Sequence, residues 1–295
     1  MEEQFRATFN ALFDRLYTHY EKMLILPALL LLATFLILGY SMATTGKILD
    51  KSIEFEGGAE MKIPVQPGVT QDEVDQVFTQ ALGEVNVRTL SSGRDSKWIL
   101  VETKQNIDQE RALQLLQQAG INPTGEISIQ TVGAAVSESF LFEAQLAFLI
   151  AFLIMSAVIF AAFRTIVPSL AVILAAFTDI IVAVAGMNLL GIQLGLGSLA
   201  ALLMLIGYSV DTDIVLSTRI LKQSGDLKER VRDSITTGMT MTLAAIVAFT
   251  VLFLMSTSPT LDEIAAVILL GLLADIPATW TGNAVILKMH SEGRI

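Results

Sequence analysis

Six long apolar stretches dominate the pattern of hydrophobic and polar positions along this chain of 295 residues. A helix of about 20 apolar residues crosses the ~30 Å hydrocarbon layer of a membrane, and each stretch is close to that length. The pattern predicts membrane-spanning helices at 23–42, 144–163, 166–190, 194–218, 238–255 and 264–287. We therefore predict an α-helical membrane protein with six transmembrane helices, five of them in one region at 142–288.

A single sizeable polar stretch, residues 43–141, separates the first predicted helix from the second. Alternating apolar positions predict four strands, at 52–65, 85–90, 97–103 and 126–132. Two helices fall between them: one starts near Thr70, where Thr70 and Glu73 have capping-box spacing, and the other covers 108–119 before Gly120. The order β-α-β-β-α-β predicts one α+β domain of the ferredoxin-like type.

Lysine and arginine residues in the connecting segments indicate the orientation of the helices, because such residues concentrate on the cytoplasmic side. The segments 1–22 and 219–232 carry three and five of these bases, whereas the short loops near 188–193 and 256–263 carry none. We predict a multi-pass protein of the cell membrane with both termini cytoplasmic and the domain at 43–141 outside. The ends are predicted as an amphipathic surface helix at 1–22 and a cytoplasmic tail at 289–295.

Composition narrows the classes of function. Apolar residues make up 53% of the chain and charged residues only 16%, which is typical of an integral membrane protein. The formal net charge of −10 argues against a nucleic-acid partner. The chain has no cysteine, and its two histidines, His19 and His290, lie near opposite ends. We therefore predict no catalytic centre, no metal site and no cofactor.

Four aspartates lie inside the predicted membrane helices: Asp179, Asp211, Asp213 and Asp275. The same helices contain no lysine, arginine or histidine. A carboxylate at the centre of a membrane helix costs roughly 2.5–3.5 kcal/mol on the insertion scale. Three of these aspartates lie at similar depths in three different helices, so we expect them to form one polar site: Asp179, Asp211 and Asp275. Such carboxyls suit a proton or sodium relay. The alternative is that each one only hydrogen-bonds a neighbouring helix.

Helix geometry separates the two aspartates of the fourth predicted helix. Asp211 and Asp213 point about 200° apart, so that one buried seam cannot hold both. Asp211 shares its face with Gly207, where a second helix could approach closely. Asp213 shares its face with Ser209 and Ser217, whose hydroxyls could hydrogen-bond it. We predict that Asp211 is the working group and Asp213 the supporting one.

Several motifs resemble those of a known family. They are Phe55-Glu56-Gly57-Gly58, Val132-Gly133, Asp179 with Gly186, and the stretch GYSVDTDIVLSTRI from Gly207 to Ile220, which includes Arg219. With these motifs the chain resembles the SecF branch of the SecD/SecF protein-export family over nearly its whole length. It is most similar to archaeal members.

The resemblance implies an RND/SecDF-like bundle and an accessory, non-enzymatic subunit of the Sec protein translocase. Such a subunit pairs with SecD, contacts the Sec translocon channel, the translocating polypeptide and membrane lipid, and draws on the ion gradient. On this alignment Asp211 takes the position of the SecD aspartate implicated in proton-driven export. Bacterial members have an arginine before the fifth helix, where this chain has Thr236, Thr237 and Gly238. We hypothesise that Asp275 replaces part of that network.

Two other functions remain open. The likeness of the family to RND exporters allows half of a small-molecule exporter. Paired membrane aspartates also allow an intramembrane aspartyl protease, although the GxGD sequence of such enzymes is absent.

Overall fold

A computed structural model describes residues 20–66, 68–92, 96–256 and 258–294. The predicted surface helix at 1–22 therefore lies outside the described residues, except for a short helix at Tyr20–Met23.

Within the described residues, six helices are long and apolar enough to cross a membrane, in agreement with the sequence analysis. We call them the first to sixth spans: Tyr20–Thr45, Ala134–Phe163, Ile166–Leu190, Leu196–Lys222, Leu227–Met255 and Thr260–Ser291. The second and fifth spans begin about ten residues before the predicted apolar stretches, because helical hydrogen bonding continues into the polar flanks. The predicted number of spans is confirmed.

Two of the spans contain more than one helical segment. The first consists of Tyr20–Met23 and Ile25–Thr45. The sixth consists of an α-helix at Pro259–Pro277, a π-helix at Ala278–Asn283 and an α-helix at Ala284–Ser291. The π-helix begins directly after Pro277, which has no N–H to donate. Its wider turn changes which side chains face the neighbouring spans.

A four-stranded antiparallel sheet lies between the first and second spans. In chain order the elements are β1 (Gly58–Val65), α1 (Gln71–Leu82), β2 (Val85–Ser92), β3 (Ser96–Thr103), α2 (Gln109–Gln118) and β4 (Ser128–Val132). The strand order is β2-β3-β1-β4, and the capping box of Thr70 and Glu73 is present. The element order confirms the predicted ferredoxin-like fold, which we call the sheet domain.

The first predicted strand, 52–65, is wrong at its start. Residues Ile53–Glu56 form a short helix whose Ile53 and Phe55 are buried, and β1 begins only at Gly58. Gly57 and Gly58 have φ values of +77° and +133°, which side-chain-bearing residues rarely adopt. A Cβ on Gly58 would also lie 2.4 Å from the carbonyl oxygen of Thr103. The glycine pair therefore makes a corner that the alternating pattern could not indicate.

Packing divides the spans into a central and a peripheral set. In the third, fourth and sixth spans, 56%, 50% and 56% of the most apolar 18-residue stretch is buried, whereas the corresponding share is 11% in each of the other spans. The sheet domain has its own core between the sheet and its two helices, centred on Met61, Ile63, Phe78, Ile99 and Leu116. The central spans are those that carry Asp179, Asp213 and Asp275.

The segment that leads from the first span into the sheet domain is joined to the loop between the third and fourth spans. The Ser52 N–H donates to the Leu194 carbonyl oxygen over 2.9 Å, and the Leu194 N–H donates to the Asp50 carbonyl oxygen over 2.8 Å. Lys51 and Leu194 form a parallel β-bridge. This loop is therefore held by backbone hydrogen bonds as well as by side chains.

Candidate functional site: a buried aspartate cluster

Three aspartates from the three central spans are fully buried. Asp179 of the third span, Asp213 of the fourth and Asp275 of the sixth each have 0% of their surface exposed. Each interacts electrostatically with at least one of the others. In the described part of the chain, no lysine, arginine or histidine pairs with them. The cluster is therefore acidic and has no internal counter-ion.

Threonine hydroxyls from three spans surround Asp275. Thr279 Oγ1 lies 2.8 Å from Asp275 Oδ1, one helical turn away on the same span. Thr212 of the fourth span lies 3.3 Å from both oxygens, and Thr242 of the fifth lies 3.4 Å from Oδ2. All four residues are buried. Asp275 is thus the point at which the fourth, fifth and sixth spans meet through polar side chains.

The π-helix of the sixth span supplies both hydrogen-bond partners of Asp213. Asn283 Nδ2 donates to Asp213 Oδ1 over 2.6 Å, and Thr279 Oγ1 lies 3.1 Å from the same oxygen. Asp213 Oδ2 and Asn283 Oδ1 are buried without a hydrogen-bond partner. Buried polar atoms are normally paired, so these two oxygens are free to accept a hydrogen bond or to bind a proton or a cation.

Asp179 connects the third span to the fourth. Ser209 Oγ donates to Asp179 Oδ2 over 2.5 Å, and Asp179 Oδ1 is buried without a partner. Ser209, Thr212 and Asp213 all lie on the buried face of the fourth span. That span therefore touches the other two aspartates through hydroxyls and contributes the third itself.

The structure brings Asp213, and not Asp211 as expected, together with Asp179 and Asp275. The two side chains do lie on different faces, but Asp213 is the one in the cluster, whereas Asp211 is exposed on the outside of the bundle. Gly207 is also exposed, and nothing in the described chain lies within 4 Å of a Cβ built on it. The close helix approach predicted there is not made by any part of the chain that the structure describes.

The remaining motif residues lie away from the cluster. Phe55, Gly57 and Gly58 form the corner at the entrance to the sheet domain, where a Cβ on Gly57 would lie 3.2 Å from Ala134 Cα of the second span. Arg219 lies in the last turn of the fourth span, six residues after Asp213 and therefore about 9 Å along the helix axis. The structure brings neither group together with the buried carboxyls.

The sequence analysis missed most of the hydrogen-bond donors of the cluster. Thr279 follows Asp275 by four residues, and Asn283 follows Thr279 by four, which is a spacing that indicates a shared helix face. Thr212 and Thr242 give no comparable signal, because threonine is common in membrane helices. No group of three or more histidine, cysteine, aspartate or glutamate side chains in the described ranges is arranged to hold a metal ion.

Comparison with known proteins places this chain in a family. The family model for the protein-export membrane protein SecD/SecF, C-terminal, matches residues 114–293. The protein-export membrane protein SecF of Methanothermobacter thermautotrophicus is 38% identical over 96% of both chains. That of Haloferax volcanii is 35% identical over 93% of this chain and 94% of its own.

A solved structure shows the same fold. The crystal structure of SecDF, a translocon-associated membrane protein from Thermus thermophilus, superposes with a TM-score of 0.73 at 24% identity. The match covers 92% of this chain and 38% of the longer SecDF chain. The six-span bundle with its sheet domain therefore has the RND-like architecture of SecDF. Since the family model covers more than half of the chain and the SecF relatives match almost all of it, the chain belongs to the SecD/SecF family of protein-export membrane proteins, as a SecF member.

Proposed function

We propose that this chain is an accessory subunit of the Sec translocase that pairs with SecD and uses the transmembrane ion gradient to promote protein export. The relatives named as protein-export proteins support the general role. The use of the gradient is supported by one observation above all, which is the buried cluster of Asp179, Asp213 and Asp275, to which the described residues supply no counter-ion.

The hydrogen-bond geometry of the cluster favours a shared proton. Thr279 Oγ1 lies within hydrogen-bond distance of both Asp275 and Asp213, yet a hydroxyl has only one hydrogen to donate. Each contact is a full hydrogen bond when one of the two carboxyls carries a proton and donates it to the Thr279 oxygen, whereas two ionised carboxyls would have to share the single hydroxyl hydrogen. A site of this kind can change its charge as protons arrive and leave.

The gradient supplies enough free energy for such a site to be useful. One elementary charge that crosses the membrane releases about 2.3 kcal/mol per 100 mV. At 100 mV this free energy is enough to shift the equilibrium between two conformations by a factor of about 50. Binding and release of a proton or a sodium ion at the cluster would then favour alternate packings of the three central spans.

The connection between the cluster and the sheet domain provides a path for this movement. Asp179 lies on the third span and Asp213 on the fourth, and the loop between these spans is held at Leu194 by the segment that leads into the sheet domain. A shift of either span would therefore move the sheet domain. We propose that this domain lies outside the cell, where it contacts the emerging polypeptide.

The test is export of a secretory precursor into membrane vesicles that contain Asp213→Asn or Asp275→Asn. Asparagine keeps the shape and most hydrogen bonds of aspartate but cannot titrate. We expect both variants to assemble normally and to lose the export that an uncoupler abolishes in the unchanged protein. Asp233→Asn, at an exposed aspartate near the start of the fifth span, is the matched control and should keep it. Full uncoupler-sensitive export with Asp213→Asn and Asp275→Asn would refute the relay.

The alternatives make different predictions in the same vesicles. An intramembrane protease would cut a model transmembrane peptide, and a small-molecule exporter would lower the content of a loaded dye. A coupling subunit does neither. No contact within the cluster specifically favours either alternative.

A further inference from the structure

The indole ring of Trp280 fills a notch in the fifth span at Gly238. A Cβ atom on Gly238 would overlap Cζ2 of the ring and lie 2.6 Å from Cη2, which is closer than atoms that are not bonded can approach. Both residues are buried. The sixth span therefore places an aromatic ring directly against the backbone of the fifth, and this contact requires a glycine at position 238.

This contact lies about one helical turn from the aspartate cluster. Trp280 follows Asp275 by five residues and belongs to the π-helix of the sixth span. Gly238 precedes Thr242 by four residues, and Thr242 lies 3.4 Å from Asp275. On both spans the contact is displaced from the cluster in the same direction, toward the start of the fifth span and the end of the sixth. With the sheet domain outside, as proposed, that direction leads to the cytoplasm.

A layer of apolar side chains surrounds the ring. It contains six buried residues from the fourth, fifth and sixth spans: Leu216, Ile220, Val231, Trp280, Ala284 and Leu287. The indole is the largest of these side chains, and each of the six residues has at most 7% of its surface exposed. An ion passes through such a layer with difficulty, because apolar side chains cannot replace its hydration shell. This inner layer therefore separates the carboxyls from the cytoplasmic end of the bundle.

The apolar layer on the opposite side of the cluster is larger. This outer layer contains ten buried residues of the third, fourth and sixth spans. Glycines tighten it at two points: a Cβ on Gly271 would overlap the Leu205 side chain, and a Cβ on Gly186 would lie 2.8 Å from Leu270 Cδ1. In the described part of the chain, the thinner barrier between the cluster and water is therefore the inner layer with Trp280.

No hydrogen bond to the described residues holds the ring in its notch. Trp280 Nε1 is buried and has no hydrogen-bond partner among them. A buried donor without a partner costs free energy, and the indole N–H would gain a partner wherever water reaches it. The ring is thus kept in place by packing, and it can leave the notch without breaking a hydrogen bond.

We infer that Trp280 is the cytoplasmic gate of the aspartate cluster. While its ring lies on Gly238, the carboxyls are closed off from the cytoplasm, and when the ring leaves the notch an ion bound at the cluster has a way out. The inference rests on the proposed function, in which the cluster binds a proton or a sodium ion. It adds the residue that controls the release of this ion and the side to which the ion goes.

Cysteine accessibility tests the gate, because the chain contains no cysteine of its own. Thr242→Cys places a thiol beside Asp275, behind the ring as seen from the cytoplasm. The full chain is co-expressed with SecD and treated with a small charged methanethiosulfonate in inside-out membrane vesicles. We expect slow labelling of this thiol. Labelling should become at least about tenfold faster when Trp280→Ala or Gly238→Ala is added, which corresponds to a barrier lower by about 1.4 kcal/mol.

Two controls separate the gate from a general loss of packing. Gly238→Ala removes no side chain and only pushes the ring out of the notch, so it keeps the test valid if Trp280→Ala does not fold. Gly39→Ala is its matched control and should leave labelling slow, because nothing in the described chain lies within 4 Å of a Cβ at that position. Ala201→Cys places a thiol in the outer layer, where the gate variants should leave labelling unchanged.

Two results would overturn the inference. One is slow labelling at position 242 in either gate variant that assembles. The other is an equal acceleration at position 201, which would show that the whole bundle has loosened. The assay needs neither an ion gradient nor a precursor, so the gate can fail while the relay survives, and the relay variants can fail while the gate survives.

Discussion

At the scale of single residues, Thr279 is the side chain that links two of the buried carboxyls of the candidate site. Its hydroxyl contacts Asp275 and Asp213, which belong to different spans. Neither carboxyl has an arginine or lysine partner in the described ranges, so only hydroxyl and amide dipoles stabilise a negative charge in the cluster. The removal of this hydroxyl should therefore affect the packing of two spans.

We predict that Thr279→Val destabilises the protein. Valine has the same shape but no hydroxyl, so both carboxyls lose a hydrogen-bond partner. The free energy of unfolding should fall by about 0.6–1.7 kcal/mol, the range found for hydrogen bonds between membrane helices. The measurement is unfolding in detergent, with Thr281→Val as the control, because Thr281 Oγ1 donates to the Pro277 carbonyl oxygen outside the cluster. An equal effect of both variants would contradict the prediction.

The sequence predicted which residue types form the site but not which face of the fourth span is buried. In a soluble helix the apolar stripe marks the buried side, whereas a membrane helix is apolar on all sides. Leu205 is buried and Met204 is 44% exposed, although both are apolar. The choice between Asp211 and Asp213 depends on packing against the third and sixth spans, which no periodicity in the fourth span reveals.

At the scale of elements, the predictions were best where local signals are strong. The capping box at Thr70 and Glu73 marked the start of α1 correctly, because two reciprocal hydrogen bonds require that spacing. The π-helix at Ala278–Asn283 was not predicted, since its hydrogen bonding depends on the surroundings of Pro277. It nevertheless supplies Thr279 and Asn283 to the cluster, so an unpredicted element carries two site residues.

The loop between the third and fourth spans is held by a buried polar junction. Gln193 Nε2 donates to Glu102 Oε2 of β3 over 2.6 Å, and Arg88 of β2 donates to the Gly191 carbonyl oxygen over 3.0 Å. Burial raises the pKa of Glu102, an effect that the nearby Arg88 guanidinium partly opposes. The charged form of the Glu102 carboxylate is therefore stabilised by its hydrogen-bond and ion-pair partners in this junction.

We predict that Gln193→Ala loosens this junction. A buried carboxylate that loses a donor should lower the stability of the junction by about 1.5–3 kcal/mol. Hydrogen exchange at the Leu194 N–H, which donates to the Asp50 carbonyl oxygen, should become faster. Gln118→Ala, at an exposed position on α2 of the sheet domain, is the control and should leave exchange at the Leu194 N–H unchanged. Protection of Leu194 equal to that of the unchanged protein would show that the backbone contacts alone hold the loop.

At the scale of the whole molecule, the structure combines a polar centre with a periphery suited to lipid and partners. The third, fourth and sixth spans surround the carboxyls, and the other three expose most of their apolar surface. The six spans could be predicted because their length and hydropathy depend on the membrane and not on packing. The sheet domain could be predicted because strand alternation and the capping box are local signals. Orientation follows from the loop charges alone, since the fold would be the same in either direction.

Cysteine labelling in intact cells tests the orientation. The chain contains no cysteine, so single replacements can be introduced without a background signal. Gln117→Cys lies on the exposed side of α2, and Ser224→Cys lies in the exposed loop between the fourth and fifth spans. Because the basic segment 219–232 should stay in the cytoplasm, we expect a membrane-impermeant maleimide to label position 117 in intact cells and position 224 only after permeabilisation. The reverse result would place the sheet domain inside, where it could not meet a polypeptide that emerges from the cell membrane.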